Sequence, residues 1–422
     1  MQILIKNGRI IDPANNIDLV GDLLAVDGVI AEISESIFCD ADEVVDASGC
    51  VVAPGFIDLH VHLRDPGFLH KETISTGQKS AACGGFTTVC AMPNTAPVTD
   101  SPEIVKYIIN ESKKADINNA VNVLPIGSIT AGQKGLELSQ IREMAKEGIC
   151  AISEDGKTVA DTKLLKEAMR IAKELEIPVF SHCEDIELVN GGVINKGLKS
   201  TEYSLPGISN QSEDVIIERD IALAKETGVK LHLCHVSTEG GVQLIRNAKI
   251  RGENVSAEVC PHHFVLSDDD IKQNDGMYKM NPPLRSRDDV NALIKGLSDG
   301  TIEVIATDHA PHHENEKSGG FERSAFGIVG LETAFALSYT YLCKPGHITL
   351  SELIEKLTVN PASILGIPRG TLSVGSAFDA VILKPDEEFT VDVNKFESLS
   401  KNSPFGGYRL FGVVKRVFVS ML

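Results

Sequence analysis

The sequence predicts an α/β chain: an eight-stranded (β/α)8 barrel of the TIM type carrying a small β-sandwich built from both chain termini. Three observations predict it. Through the middle of the chain short apolar runs alternate with stretches of helical periodicity, the pattern of a parallel sheet long enough to close on itself. Both ends carry β-rich runs broken by turn dipeptides, with no long helix. Several of the central runs end in a histidine or a carboxylate, as expected of a barrel whose strand C-termini carry the chemistry.

In chain order, Ile3 to Ile5 and Leu23 to Val26 are strand candidates, and Asn7-Gly8 and Asp27-Gly28 mark hairpin turns. The apolar run Val51 to Leu59 leads into His60-Val61-His62. Gly148 to Ile152 leads into Ser153-Glu154-Asp155-Gly156. Lys163 to Glu176 places Leu164, Leu165, Ala168, Ile171, Ala172 and Leu175 on one helical stripe, and Asp214 to Thr227 and Leu353 to Leu357 behave similarly. Ile177 to Phe180 precedes His182, Val229 to Leu233 precedes His235, and Ile302 to Ala306 precedes Asp308. The last strand candidates are Ala380 to Leu383, Phe389 to Val393 and Val413 to Val419. The expected division is residues 53–360 for the barrel and residues 1–52 plus 361–422 for the composite sandwich.

The composition narrows the partners. The chain has 422 residues, 42% of them hydrophobic, enough for a large core. With 40 basic against 59 acidic residues the net charge is −19, which argues against nucleic acid or an anionic membrane as a partner. An anionic small substrate would need a locally positive pocket. The N-terminus lacks a signal-peptide core, and no run approaches the roughly 20 apolar residues of a spanning helix. A cytoplasmic location is expected. The nine cysteines are scattered without a Cys-x-x-Cys and are expected as free thiols, mostly buried.

Alternate residues of a strand share a face, so His60 and His62 present both imidazoles to one side, a metal-ligand pair. One His-x-His is a weak signal. Histidines and carboxylates at the ends of separate strands are a stronger one, because a barrel brings those ends together. By the same alternation His232 is expected to be a packing residue, and Cys183 and Cys234 should point away from their neighbouring histidines. His309 should face away from the site, His262, His263 and His313 have at most supporting roles, and His70 and His347 belong to the surface. Imidazole and carboxylate donors without thiolate suit zinc, manganese or a related divalent ion, and bound water then ionises near pH ~7.

The motifs Pro54 to Gly67 (Pro-Gly-Phe-Ile-Asp-Leu-His-Val-His-Leu-Arg-Asp-Pro-Gly), Met92-Pro93-Asn94-Thr95, Ser181 to Asp185, Cys234 to Ser237, Met280 to Arg285 and Ala306 to His312 occur in this order. Together they resemble the type I dihydroorotases of the amidohydrolase superfamily, over almost the whole chain. The resemblance implies a TIM-type metallo-hydrolase barrel that interconverts N-carbamoyl-L-aspartate and L-dihydroorotate in pyrimidine synthesis, with one or two zinc ions per subunit. It implies that His60, His62 and Asp308 hold one metal and His182 and His235 a second. Asp155 is the expected bridge, with Glu154 left open because the family has an aspartate there. Asp308 is also the expected general acid and base. Arg64, with His62, Asn94 and His312, would grip a substrate carboxylate, and Asn281 and the backbone at Phe326-Gly327 supply further contacts. Arg285 is expected in an ordinary ion pair, and the charged, glycine-containing stretch from His312 to Gly330 as a mobile lid. A homodimer is expected, with association with aspartate transcarbamoylase, formed by some family members, left open. Two other readings compete: a hydantoinase-like cyclic amidohydrolase, disfavoured because a neutral ring offers Arg64 no carboxylate, and a catalytically dead scaffold, disfavoured by the intact ligand set.

Overall fold

The computed structural model describes residues 1–114 and 121–420. Eight parallel strands lie side by side in chain order: β1 (Phe56–Val61), β2 (Phe86–Ala91), β3 (Asn122–Ser128), β4 (Ala151–Ser153), β5 (Val179–Ser181), β6 (Leu231–Leu233), β7 (Val255–Val259) and β8 (Val304–Ile305). The circle closes just beyond β8, where the His62 N–H donates to the His309 carbonyl at 2.8 Å. The buried Asp58 carboxylate reinforces this seam by accepting from the Thr307 amide (3.1 Å) and hydroxyl (2.6 Å).

The intervening helices form where the apolar stripes predict. Thr162–Glu174 is capped by the Asp161 carboxylate and buries Leu165, Ala168, Met169 and Ala172. Gln211–Thr227 stops at Gly228, whose φ of 71° gives the left-handed C-terminal residue that glycine adopts most easily. Leu350–Leu357 starts with a capping box between Thr349 and Glu352.

Inside the barrel the lower layer is apolar: Ile57, Leu59, Cys90, Ile126, Ala151, Phe180, Val304 and Ala306 pack with Ala362 of the helix Val359–Leu365. That helix lies across the junction expected at residues 360 and 361.

The apolar run from Val51 serves two sheets. Val51–Pro54 pairs antiparallel with Ala380–Leu383 from the other end of the chain, whereas Phe56–Val61 enters the barrel. Gly55 makes the crossing, and a β-carbon there would lie 2.3 Å from the Thr87 side chain. Seven strands from both termini make the second sheet, with an apolar core of Ile3, Ile5, Ile10, Leu23, Val52, Phe378, Ile382 and Phe418 among others. The expected strand Phe389 to Val393 is not separate. A single strand runs from Ala380 to Thr390 because Glu388–Thr390 continue to pair with Arg409–Phe411, and Val393–Lys395 forms a 3-10 turn capped by Asp392. Among the described residues no helix is long and apolar enough to cross a membrane.

Candidate active site

At the C-terminal ends of the barrel strands the backbone leaves regular geometry. Arg64 (φ 60°), His235 (φ 35°) and Asp308 (φ 47°) all occupy the left-handed region, where a side chain costs of order 1–3 kcal/mol. Such strain persists where surrounding contacts enforce it. Here it turns the chain immediately after each strand, so that side chains converge above the apolar layer.

Asp155 lies at the centre. Its Oδ1 is 3.3 Å from His60 Nε2, 3.6 Å from His182 Nδ1 and 3.7 Å from His235 Nε2, and its Oδ2 is 3.5 Å from His62 Nε2. Asp308 Oδ1 faces the first pair, 3.0 Å from His62 Nε2 and 3.5 Å from His60 Nε2. His182 Nδ1 and His235 Nε2 are 2.8 Å apart. The neighbouring Glu154 turns the other way, accepting from the Thr130 amide and hydroxyl. Burial alone would push Asp155 and Asp308 up, but the imidazoles, His60 foremost, more than reverse it and hold both well below the ordinary carboxylate range.

The far side of each ring fixes which nitrogen faces inward. His60 Nδ1 contacts Glu258 Oε1 at 2.8 Å and His62 Nδ1 contacts Asn94 Oδ1 at 2.9 Å, so each Nδ1 is a donor on the far side and each Nε2 is the nitrogen turned to the centre. His60 Nε2 and Asp155 Oδ1 are buried without a hydrogen-bond partner, a costly state that a cation would relieve. His60, His62 and Asp155 form one compact group of metal-ligating atoms, and Asp155, His182 and His235 form another that shares the same aspartate. Nitrogen and oxygen donors of this kind fit divalent metal.

Beside this cluster is a cavity of about 210 Å3, lined by every expected substrate-contacting residue: His62, Arg64, Asn94, Asn281, His312, Phe326 and Gly327. Arg64 Nε donates to the Pro311 carbonyl at 3.1 Å, and burial lowers its pKa to about 10, which leaves it charged at neutral pH. His312 Nε2 lies 2.8 Å from the Phe326 carbonyl. Burial, then the charges of Arg64, Lys71 and Lys317, push the His312 pKa down to about 2, so this imidazole stays neutral. Asn281 donates to Glu184 at 2.9 Å, which leaves its side-chain oxygen as its free acceptor. Asn94 is engaged by the cluster itself, touching both His62 and, at 3.4 Å, Asp155.

Several sequence expectations change. His232 is not merely a packing residue: its Nε2 meets Glu258 Oε2 at 2.9 Å and its Nδ1 meets Ser256 at 2.8 Å. Strand alternation failed because β6 ends at Leu233, and the turn at His235 resets which side chains face inward. For the same reason Cys234 Sγ lies within 4.8 Å of ligating atoms of His60 and Glu258 rather than pointing away. Within the stretch expected as a lid, Glu314–Lys317 and Gly320–Arg323 are short helices, and Lys317 and Phe321 are each only 1% exposed. Arg285 does pair with Glu213 at 3.2 Å, in a buried setting. His309 faces away from the centre toward Glu72, at 3.3 Å. Cys90, Cys183, Cys234 and Cys260 are buried free thiols, whereas Cys39 and Cys83 are exposed.

Sequence reasoning missed Glu258 and Asn402. Glu258 left a signal, a carboxylate inside the strand run Val255–Val259. Asn402 left none, yet it accepts from the His312 amide at 3.0 Å and donates to the Ala310 and Gly327 carbonyls, both at 3.1 Å.

Residues 49–240 match the family model described as dihydro-orotase-like. A dihydroorotase of Acetivibrio thermocellus is 51% identical over 99% of this chain and 97% of that protein. One of Ruminiclostridium cellulolyticum is 49% identical over 98% of this chain and 96% of that protein. Among solved structures, L-hydantoinase (dihydropyrimidinase) from Arthrobacter aurescens superposes with a TM-score of 0.88 at 27% identity, covering 99% of this chain and 94% of the other.

Proposed function

This chain belongs to the dihydroorotase family of the amidohydrolase superfamily, its activity is that of a hydrolase of cyclic amides, and we propose the residues that perform it. The reaction is the reversible opening of L-dihydroorotate to N-carbamoyl-L-aspartate, a step of pyrimidine synthesis. The carrying observation is that one cavity holds both the histidine–carboxylate cluster and a fixed guanidinium, Arg64.

We propose that His60, His62 and Asp308 hold one zinc ion and His182 and His235 a second, with Asp155 rather than Glu154 bridging them. Glu258 and Asn94 set the ring orientations this requires. When bound, such ions polarise the amide carbonyl and lower the pKa of water to about 7. The side chains do the rest. Arg64 binds the substrate carboxylate as a planar fork, and neutral His312 adds a polar contact without charge repulsion. Asn281, its amide group committed to Glu184, offers an oxygen to a ring N–H. Asp308, buried and ionised, takes a proton from the attacking water and delivers it to the ring nitrogen as the C–N bond breaks. For cyclisation it removes the proton from the ureido nitrogen.

The catalytic unit in this reading is the barrel, residues 53–360, and the composite unit of residues 1–52 and 361–422 lends Asn402 to its mouth. A homodimer and a cytoplasmic location complete the proposal on the family resemblance. The test is the loss of ultraviolet absorbance of L-dihydroorotate on adding zinc-loaded protein, beside the same assay with hydantoin. Preferential turnover of dihydroorotate supports the assignment, and preference for hydantoin overturns it.

A further inference from the structure

Lys317 is 1% exposed, and among the described residues no carboxylate binds its ammonium. Its Nζ donates instead to three backbone carbonyls, those of Lys279 (2.8 Å), Ala325 (2.8 Å) and Gly327 (2.7 Å). In its ammonium form the side chain has three N–H donors, one for each carbonyl, and burial lowers its pKa to about 7. Burying a charge without a counter-ion is expensive, and an apolar side chain would fill the same space at less cost. Packing alone therefore does not account for a lysine here.

The bonded carbonyls flank the cavity wall. Ala325 and Gly327 are held by Lys317, and the Phe326 carbonyl between them accepts from His312. The Gly327 carbonyl is also held by Asn402, and the Gly327 N–H donates to Lys279 at 3.0 Å. Gly327 has φ 121°, and a β-carbon there would lie 2.5 Å from the Ala310 side chain, so the segment is seated tightly against the barrel wall. Among the described residues the Phe326 N–H has no acceptor, which leaves it as the backbone donor available to a substrate oxygen.

Building on the dihydroorotase reading above, we propose that Lys317 is a positioning residue that clamps the Ala325–Gly327 backbone and so presents the Phe326 amide to the substrate. The clamp acts on binding more than on chemistry, because it touches neither the metal-ligating cluster nor Asp308.

Lys317→Met keeps the length of the side chain and removes every donor. In the zinc-loaded full-length protein, KM for L-dihydroorotate is expected to rise tenfold or more, with kcat within about threefold of native and zinc content unchanged. An unchanged KM, or a fall in kcat alone, overturns the clamp. Lys317→Gln, which retains two N–H donors, gives an intermediate KM and serves if the methionine variant does not fold; a native KM in Lys317→Gln also overturns the proposal. Absence of turnover by the native chain overturns the dihydroorotase reading itself, so the two failures are distinct.

Discussion

The two ends of the barrel interior are made from the same eight strands and obey opposite rules. Beneath the site Ile57, Leu59, Ile126, Phe180 and Val304 form an apolar layer and pack in ordinary strand geometry. At the C-termini the same strands carry four histidines and three carboxylates (Asp155, Glu258 and Asp308), all buried, with atoms that lack partners and residues in left-handed conformations. Burial of apolar area stabilises the lower layer by roughly 25 cal/mol per Å2, whereas each unpaired polar group above it costs about 1–3 kcal/mol. The difference teaches that the floor supports the fold and the mouth spends part of that stability on preorganised chemistry.

The largest expected effect is at the mouth. Asp308→Asn, in which asparagine tolerates the left-handed backbone, should lower kcat roughly ten-thousandfold, about 5 kcal/mol, while the protein stays folded. A variant that unfolds would place Asp308 with the floor. Phe180→Ala tests the opposite end: a fully buried ring removed from the lower layer should cost about 3–5 kcal/mol in denaturant unfolding and leave KM near native. If activity fell while stability held, the two layers would not be separable.

Arg64→Lys keeps the charge and loses the fork, so KM should rise about ten- to a hundredfold, up to roughly 3 kcal/mol, with kcat little changed. Unchanged saturation would remove Arg64 from substrate recognition. The smallest effect is in acid. Burial pushes His262 down to about 4 and His263 well below its ordinary value of 6.5. The folded state keeps both neutral while the unfolded chain takes up protons, so their contribution is intact above pH 6.5 and is lost as pH falls toward 4. His262 alone should account for roughly 2 kcal/mol by pH 5. The unfolding free energy of His262→Gln should therefore fall less steeply than that of the native protein between pH 6.5 and 4.5, and equal slopes would mean that His262 is not held neutral.

Much of this was legible in the chain. The alternation of His60 and His62 and the strand-end positions of His182, His235 and Asp308 located one cluster, because strand periodicity is a local property. The choice of Asp155 over Glu154 rested on the family resemblance and not on periodicity. Both end the same strand, and only the contact of Glu154 with Thr130 assigns one outward and the other to the centre. His232 and Cys234 were misplaced because alternation was carried past Leu233, where the strand stops. The burial of Lys317 was not legible, because the carbonyls that surround it belong to loop backbone without periodicity.

Composition, periodicity and motif order by themselves determined the barrel, the pairing of the two termini and the ring of histidine and carboxylate side chains. Each depends on residues a few positions apart and on the fixed geometry of strands and helices. Tertiary structure alone decided which atom of each side chain faces the centre. The His60 ring is oriented by Glu258, 198 residues away, and the backbone that carries His312 is held by Asn402, 90 residues away. Such pairs leave no periodic trace, because what joins them is the closure of the barrel and not any regularity along the chain.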